Sequence, residues 1–329
     1  MLTNACDISP EILHRFLYTM LYIRLVQEEI ARVYPEQEMR CPVHLSIGQE
    51  AIAVGVCAHL SKQDFIVSNH RSHAHYLAKG GDLNKMLAEL YGKQTGCCSG
   101  KSGSMHLVDI SQGFLAAVPI VGSSIPIAVG IAMGVKKKDQ QNLTTVFFGD
   151  GAIEEGVFHE SLNFASLKKL PIIFICENNF YSVYSPLSIR QPPSREIFSL
   201  AQSHGIQSFQ GDGNNVIEVY NLMKNAIEII NNGDGPVFLE LKTYRWREHV
   251  GPYYDNNLGY RSEDEFNLWI KRCPIEGFQS DLLEHGLLDL PTLNAMKSKI
   301  SSQIHRAFNF AKTSPFPDKE QLMKHIYKD

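Results

Sequence analysis

The sequence lacks a surplus of either charge: 31 basic residues stand against 35 acidic ones, a net charge of −4. Without excess positive charge the chain has no general means of neutralising a nucleic-acid backbone or an anionic bilayer, so neither partner is expected. It also lacks any apolar stretch approaching the roughly 20 residues a spanning helix needs. The amino terminus, MLTNACDISPEILHRF, has no basic flank leading into an apolar run, so no targeting segment is expected. The seven cysteines (Cys6, Cys41, Cys57, Cys97, Cys98, Cys176 and Cys273) include no CxxC pair and no regular spacing, which argues for reduced, cytoplasmic thiols over a disulfide framework. No repeat, low-complexity tract or Pro-, Gly- or Ser-rich linker divides the chain, so residues 1–329 are expected to form a single domain. Hydrophobic residues, at 44%, supply the apolar surface for its core.

What is present follows an α/β pattern. Ser9, Pro10 and Glu11 supply a cap, a first-turn proline and an acid at the positive end of a helix expected over 10–33, before Pro35. Its apolar residues (Ile12, Phe16, Leu17, Met20, Leu21, Ile23 and Leu25) form a stripe too wide for one neighbour. Beyond Asp64, short apolar runs at 65–67, 144–148, 172–176 and 237–241 read as buried strands separated by glycine-rich turns and helical stretches. That alternation predicts a mostly parallel sheet with helices on both faces, whose ligands bind at the carboxyl ends of the strands. Segments 181–196, with three prolines, and 251–265 read as irregular, mobile loops at the active site. The chain after about residue 270, including 292–312, reads as an amphipathic helical extension.

Gly-Asp-Gly occurs three times, and context separates the copies. Residues 233–235 end the helix expected over 216–230, and residues 211–213, followed by Asn214 and Asn215, precede the same helix as a capping turn; both read as structural. Gly149-Asp150-Gly151 instead follows a strand and opens a helix carrying Ile153, Val157, Phe158, Leu162 and Ala165. Glycine there lets backbone approach an anion, and free amides at a helix start suit a diphosphate. The next strand, 172–176, ends in Glu177-Asn178-Asn179, and a right-handed crossover sets the two strands side by side. Asp150 and Asn179 then meet at one sheet edge, where a hard cation such as Mg²⁺, which takes oxygen ligands and shares them with phosphate and water, would bridge them.

GDG, 26 intervening residues, then NN resembles the cofactor motif of thiamine-diphosphate enzymes. Further segments, HLSIGQEA at 44–51, NHRSH at 69–73, GKSGSMH at 100–106 and TYRWREH at 243–249, are similar to the α subunits of pyruvate, acetoin and branched-chain 2-oxo acid dehydrogenases, from about the first helix to residue 270. The resemblance implies that Asp150, Asn179 and the carbonyl of Tyr181 hold Mg²⁺, that Gly151 and Ala152 present amides to thiamine diphosphate, and that the Val121 carbonyl contacts its aminopyrimidine. It implies that His249 contacts the cofactor, as do His70 and Arg71, and assists proton transfer at the thiazolium, and that His44 serves the 2-oxo acid. For a lone histidine the bland alternative is a satisfied structural residue.

Arg71 suits a diphosphate by its planar fork, the alternative being a surface salt bridge. His70 stands where these subunits commonly have tyrosine, adding a group whose charge could make cofactor binding pH-dependent. His70, His73 and His75 lack an accompanying cysteine or carboxylate, which disfavours a transition-metal site. Residues 96–102, GCCSGKS, are one residue short of a nucleotide P-loop and follow no buried strand. Gly130 and Gly134, four apart, allow close helix approach in the core or across subunits.

The resemblance further implies a heteromeric enzyme: a separate β chain supplying the glutamate that activates the cofactor, an α₂β₂ assembly, and a lipoyl-bearing acyltransferase receiving the acyl group, with pyruvate the expected substrate. Val250 stands where mammalian relatives carry a regulatory serine, which excludes phosphorylation there. The loop HVGPYYDNNLGYRSEDE departs from the family's HGHS pattern, leaving acetoin dehydrogenase or a specialised biosynthetic enzyme as alternatives. A non-catalytic assembly subunit is the reading from a different class, and retention of Asp150, Asn179 and His249 counts against it.

Overall fold

A computed structural model describes residues 8–324. Cys6 therefore lies outside the described residues. The strands are β1 (Phe65–Asn69), β2 (Phe114–Val118), β3 (Thr144–Gly149), β4 (Ile172–Asn178), a short hairpin β5 (Tyr181–Ser182) and β6 (Ser185–Pro186), β7 (Gln207–Asp212) and β8 (Val237–Lys242). Six of them form one parallel sheet in the order β2-β1-β3-β4-β8-β7, and the fold is α/β. The helices are α1 (Pro10–Val33), α2 (Glu50–Cys57), α3 (His73–Ala78), α4 (Leu83–Leu90), α5 (Ser124–Lys137), α6 (Gly156–Leu167), α7 (Leu187–Arg190), α8 (Ile197–Gln202), α9 (Val216–Asn231), α10 (Glu263–Ile270), α11 (Pro274–Glu284) and α12 (Leu290–Thr313).

Side chains of a strand alternate between faces, and this sheet is apolar on both. In β4, Ile173 and Ile175 join one core with α1, α2, α9 and α12, whereas Ile172, Phe174 and Cys176 join a second core with α5, α6 and α8. Burial on both sides produces the continuous apolar runs of the sequence. Phe147 on β3 is fully buried and stacks on His75 at 3.9 Å between ring centroids. Phe147→Ala is expected to lower stability by about 3–5 kcal/mol, the usual cost of emptying a buried aromatic site, read from the urea midpoint at unchanged m-value.

α1 has the expected bounds, and its wide stripe packs against α2, α3, α11 and α12. Two strands of the six-stranded sheet escaped the periodicity reading, as did the short β5–β6 hairpin inside the segment read as irregular. β2 reads Phe-Leu-Ala-Ala-Val, three of the five only partly buried, and β7 reads Gln-Ser-Phe-Gln-Gly-Asp on the sheet's edge. Both are edge strands, covered less completely than the centre, so neither needs an apolar run.

Candidate active site

The carboxyl ends of the central strands meet as the crossover argument requires. β3 and β4 are neighbours with Gly149 level with Glu177, which sets Asp150 beside the 177–179 segment. Asp150 is 1% exposed. Burial holds its carboxyl above the ordinary carboxylate value, opposed by Arg190 and by hydrogen bonds from the backbone amides of Asp150 and Asn179. Asn179 accepts from the Tyr181 amide at 3.2 Å and donates toward Gln49 at 3.4 Å.

One expectation is corrected in detail. Gly149-Asp150-Gly151 does not open an α-helix: Asp150–Glu154 form a 3₁₀ turn, Glu155 is extended, and α6 starts at Gly156. The free amides beside Asp150 are those of a tight turn rather than of the first helical turn. A β-carbon at Gly151 would come within 2.6 Å of the Ser182 hydroxyl, so Ser182 could keep its place only beside a glycine.

All ten residues singled out in the sequence line one cavity: His44, His70, Arg71, Val121, Asp150, Gly151, Ala152, Asn179, Tyr181 and His249. They come from loops after β1, β2, β3, β4 and β8, plus the segment before α2. That segment is held by Glu50, whose carboxylate takes Arg24 at 2.5 Å and the Gly48 amide at 3.2 Å. Gly48, at φ +100°, lies where a β-carbon would strike the Trp246 ring, so the 44–51 and 243–249 motifs are packed together by glycine. The Gly251 amide donates to the Val43 carbonyl at 2.8 Å, joining the same two segments.

His44, His70 and His249 form a cluster with ring centroids 4.8–5.3 Å apart. Burial is the main cause that pushes all three down, His44 to about 2, His70 and His249 to about 3, with Arg71 adding repulsion. They are neutral imidazoles at physiological pH. The Nδ1 atom of His44 is buried without a hydrogen-bond partner.

Arg71 is 5% exposed and makes no surface salt bridge; its guanidinium donates to the Leu45 carbonyl at 2.7 Å and the His249 carbonyl at 3.1 Å. A third contact reaches His249 Nδ1 at 3.4 Å. A guanidinium has no acceptor, so Nδ1 receives this bond and the ring proton sits on Nε2. Burial pushes Arg71 down to about 9, with Arg245 adding repulsion.

The other histidines of the 69–75 stretch are turned elsewhere. His73 pairs with the Ser104 hydroxyl at 2.7 Å, and His75 with Ser68 at 2.8 Å and Glu177 at 3.1 Å, so His70, His73 and His75 share no centre. The loop resembling a P-loop already holds an anion of its own: Glu89 accepts the amides of Cys98, Gly100, Ser102 and Gly103. The 233–235 turn follows α9 as read and Asn215 caps that helix by accepting from the Ile217 and Glu218 amides, whereas Gly211 and Asp212 are the end of strand β7 and not part of the turn.

Sequence reasoning missed Arg190, on α7, which forms an ion pair with Asp150, another with Glu154 at 2.6 Å, and a bond to the Ser185 carbonyl at 3.1 Å. No local signal marks it, since it lies 40 residues from its partner. The irregular 251–265 segment is also anchored: buried Asp255 pairs with Arg261 and accepts from Tyr260, and Arg261 donates to the Arg245 carbonyl at 2.6 Å. Gln49, Met105, Ile120, Glu177, Ser182 and Val183 are among the other residues that line the cavity.

A parallel sheet with a histidine-rich cavity outside its carboxyl ends defines the class of a cofactor-using α/β enzyme component. The chain belongs to the dehydrogenase E1 component family, matching it over residues 18–320. This is the thiamine-diphosphate-dependent family that the motifs resemble. Among its relatives, the subunit alpha of acetoin:2,6-dichlorophenolindophenol oxidoreductase from Bacillus subtilis is 37% identical over 309 residues, 94% of this chain and 91% of the relative. The pyruvate dehydrogenase E1 component subunit alpha of Rickettsia bellii is 35% identical over 308 residues, covering 94% and 93%. A chloroplastic pyruvate dehydrogenase E1 component subunit alpha-3 from Oryza sativa is 34% identical, covering 94% and 74%. Among the described residues no helix is long and apolar enough to cross a membrane.

Proposed function

We propose that this chain is the α subunit of a heteromeric 2-oxo acid dehydrogenase that decarboxylates pyruvate oxidatively and passes the acyl group to the lipoyl group of an acyltransferase. The observation carrying this reading is the convergence of the ten predicted residues on one cavity. Residues 1–329 act in it as a single diphosphate-binding domain, in the cytoplasm.

The donors suit the cofactor. Asp150, Asn179 and the Tyr181 carbonyl form an oxygen-only set appropriate to Mg²⁺. Gly151, a position that a β-carbon would fill, and Ala152 would turn their amides to the diphosphate; Arg71 and His70 would add donors, and Val121 would meet the aminopyrimidine. When bound, thiamine diphosphate supplies the carbon nucleophile and the electron sink that decarboxylation needs. His249, neutral and protonated on Nε2, moves a proton at that nitrogen. His44, with an unpartnered Nδ1, orients the 2-oxo acid. Arg190 neutralises Asp150 in the unloaded chain and must release it when the metal arrives.

A β chain completes the site. Ile120 and Val121, at the cavity wall, are 71% and 48% exposed, and Ile127 on α5 and Leu167 on α6 are also exposed. A β-carbon at Gly130 or Gly134 of α5 would meet nothing within 4 Å, so neither glycine serves packing within this chain; the close approach they permit is to the partner in an α₂β₂ assembly. The name of the Bacillus subtilis relative favours acetoin as the second reading. The test is decarboxylation of pyruvate and branched 2-oxo acids, and cleavage of the central C–C bond of acetoin, which has no carboxylate to lose, by the chain alone and with its β chain. Silence alone and turnover of pyruvate with β is expected. Turnover confined to acetoin selects the second reading, and no turnover of any of them with β and cofactor refutes both.

A further inference from the structure

Loop 96–103 carries a feature that the proposed reaction does not use. Successive residues of an extended chain point to opposite sides, which normally parts adjacent cysteines. Cys97 and Cys98 instead have sulfurs 4.0 Å apart, the Cys97 thiol donating to the Cys98 sulfur. The chain coils to allow this: Ser99 has φ +59°, and its amide closes a turn on the Gly96 carbonyl at 3.0 Å. The coil is wrapped around buried Glu89, whose two oxygens accept four backbone amides and the Ser102 hydroxyl at 2.7–3.1 Å. Glu89 is therefore saturated and cannot act as a third ligand, which leaves a site of two sulfurs. Both cysteines are partly exposed, unlike Cys57, Cys176 and Cys273, which are buried.

We propose that Cys97 and Cys98 form a vicinal dithiol that reacts as a unit with a peroxide and closes to a disulfide between neighbours. The Cys98 thiolate attacks one peroxide oxygen, the O–O bond breaks, and a first water leaves with a solvent proton. Cys97 then attacks the Cys98 sulfur, the S–O bond breaks, and the Cys97 proton leaves with a second water. Two thiols lose two electrons and one peroxide is reduced to two waters. The Cys97 thiol, and then Ser102, hold Cys98 down to about 7, while the same bond raises Cys97; the two sulfurs are thus divided into an attacking and a resolving partner. Closing the sulfurs from 4.0 Å to bonding distance, about 2.0 Å, pulls on the Cys98 amide that Glu89 holds.

Full-length chain treated with one equivalent of hydrogen peroxide, alkylated and digested without reductant, should yield the peptide spanning Cys97 and Cys98 lighter by two hydrogens and restored by dithiothreitol. Phenylarsine oxide should bind one per chain and protect both thiols from alkylation. Cys97→Ser should stop Cys98 at a sulfenic acid trapped by dimedone, and Cys98→Ser should leave Cys97 a thiol at that dose, with circular dichroism checking both folds. Recovery of wild-type Cys98 as sulfenic or sulfinic acid beside a free Cys97, a disulfide from either to another cysteine, or an inert pair would each overturn the proposal.

Discussion

Asp150→Asn is expected to weaken Mg²⁺-dependent thiamine diphosphate binding by more than about 100-fold, because changes one shell further out already cost 10–100-fold in metal affinity. The substitution keeps the size and the oxygen of the side chain and removes its charge, at a position only 1% exposed. Isothermal titration of the α chain with its β chain reads the change directly. The thermal upshift produced by saturating cofactor, about 2.7 kcal/mol at a hundredfold excess over Kd, should vanish in parallel. Arg190→Gln should move the same titration the other way. The ion pair it removes competes with the metal for one carboxylate, while Glu154 and the Ser185 carbonyl show Arg190 to be held in place by more than Asp150. Unchanged cofactor binding in Asp150→Asn would end the assignment of this turn as the metal clamp.

His249→Ala is expected to lower kcat of the assembled enzyme by about 10²–10⁴, the range of a lost general acid or base, with cofactor affinity changed little. The split follows from the geometry. The strongest contact between Arg71 and this position is to the His249 carbonyl at 3.1 Å, which alanine keeps, so Arg71 remains placed and only the imidazole is lost. Phenylalanine at the same position controls for volume and should behave as alanine does. Steady-state kinetics with a parallel cofactor titration checks both halves; a rise in the cofactor Kd with kcat preserved would make His249 a cofactor-binding residue with no part in proton transfer.

The histidine cluster shows how one motif can distribute its members. His70, His73 and His75 are close in sequence, but β1 ends at Asn69 and α3 begins at His73, so the chain turns between them. His70 faces the cavity with His44 and His249, while His73 and His75 brace Ser104 and Glu177 from inside the fold. The P-loop-like stretch is a comparable case: its amides do cradle an anion, but the anion is Glu89 of the same chain.

Much of the architecture was legible because burial leaves a local trace. Strands covered on both faces are largely apolar, which made β3, β4 and β8 visible, and the first-turn proline of α1 and the Asn215 cap of α9 marked where those helices begin. The Asp150 and Asn179 segments could be brought together in advance because crossover handedness is a property of all L-chains. Edge strands β2 and β7 left no such trace, being only partly covered. Nor did the 3₁₀ turn at Asp150, Arg190 on the Asp150 carboxylate, or the Asp255–Arg261 anchor beneath the His249 loop. Sequence by itself thus determined the order of elements and the chemical kinds of group at the strand ends, since periodicity, glycine and chirality act over a few residues. Only the tertiary structure decided which charge meets which, because a buried carboxylate takes whatever cation the fold delivers to it, from any distance along the chain.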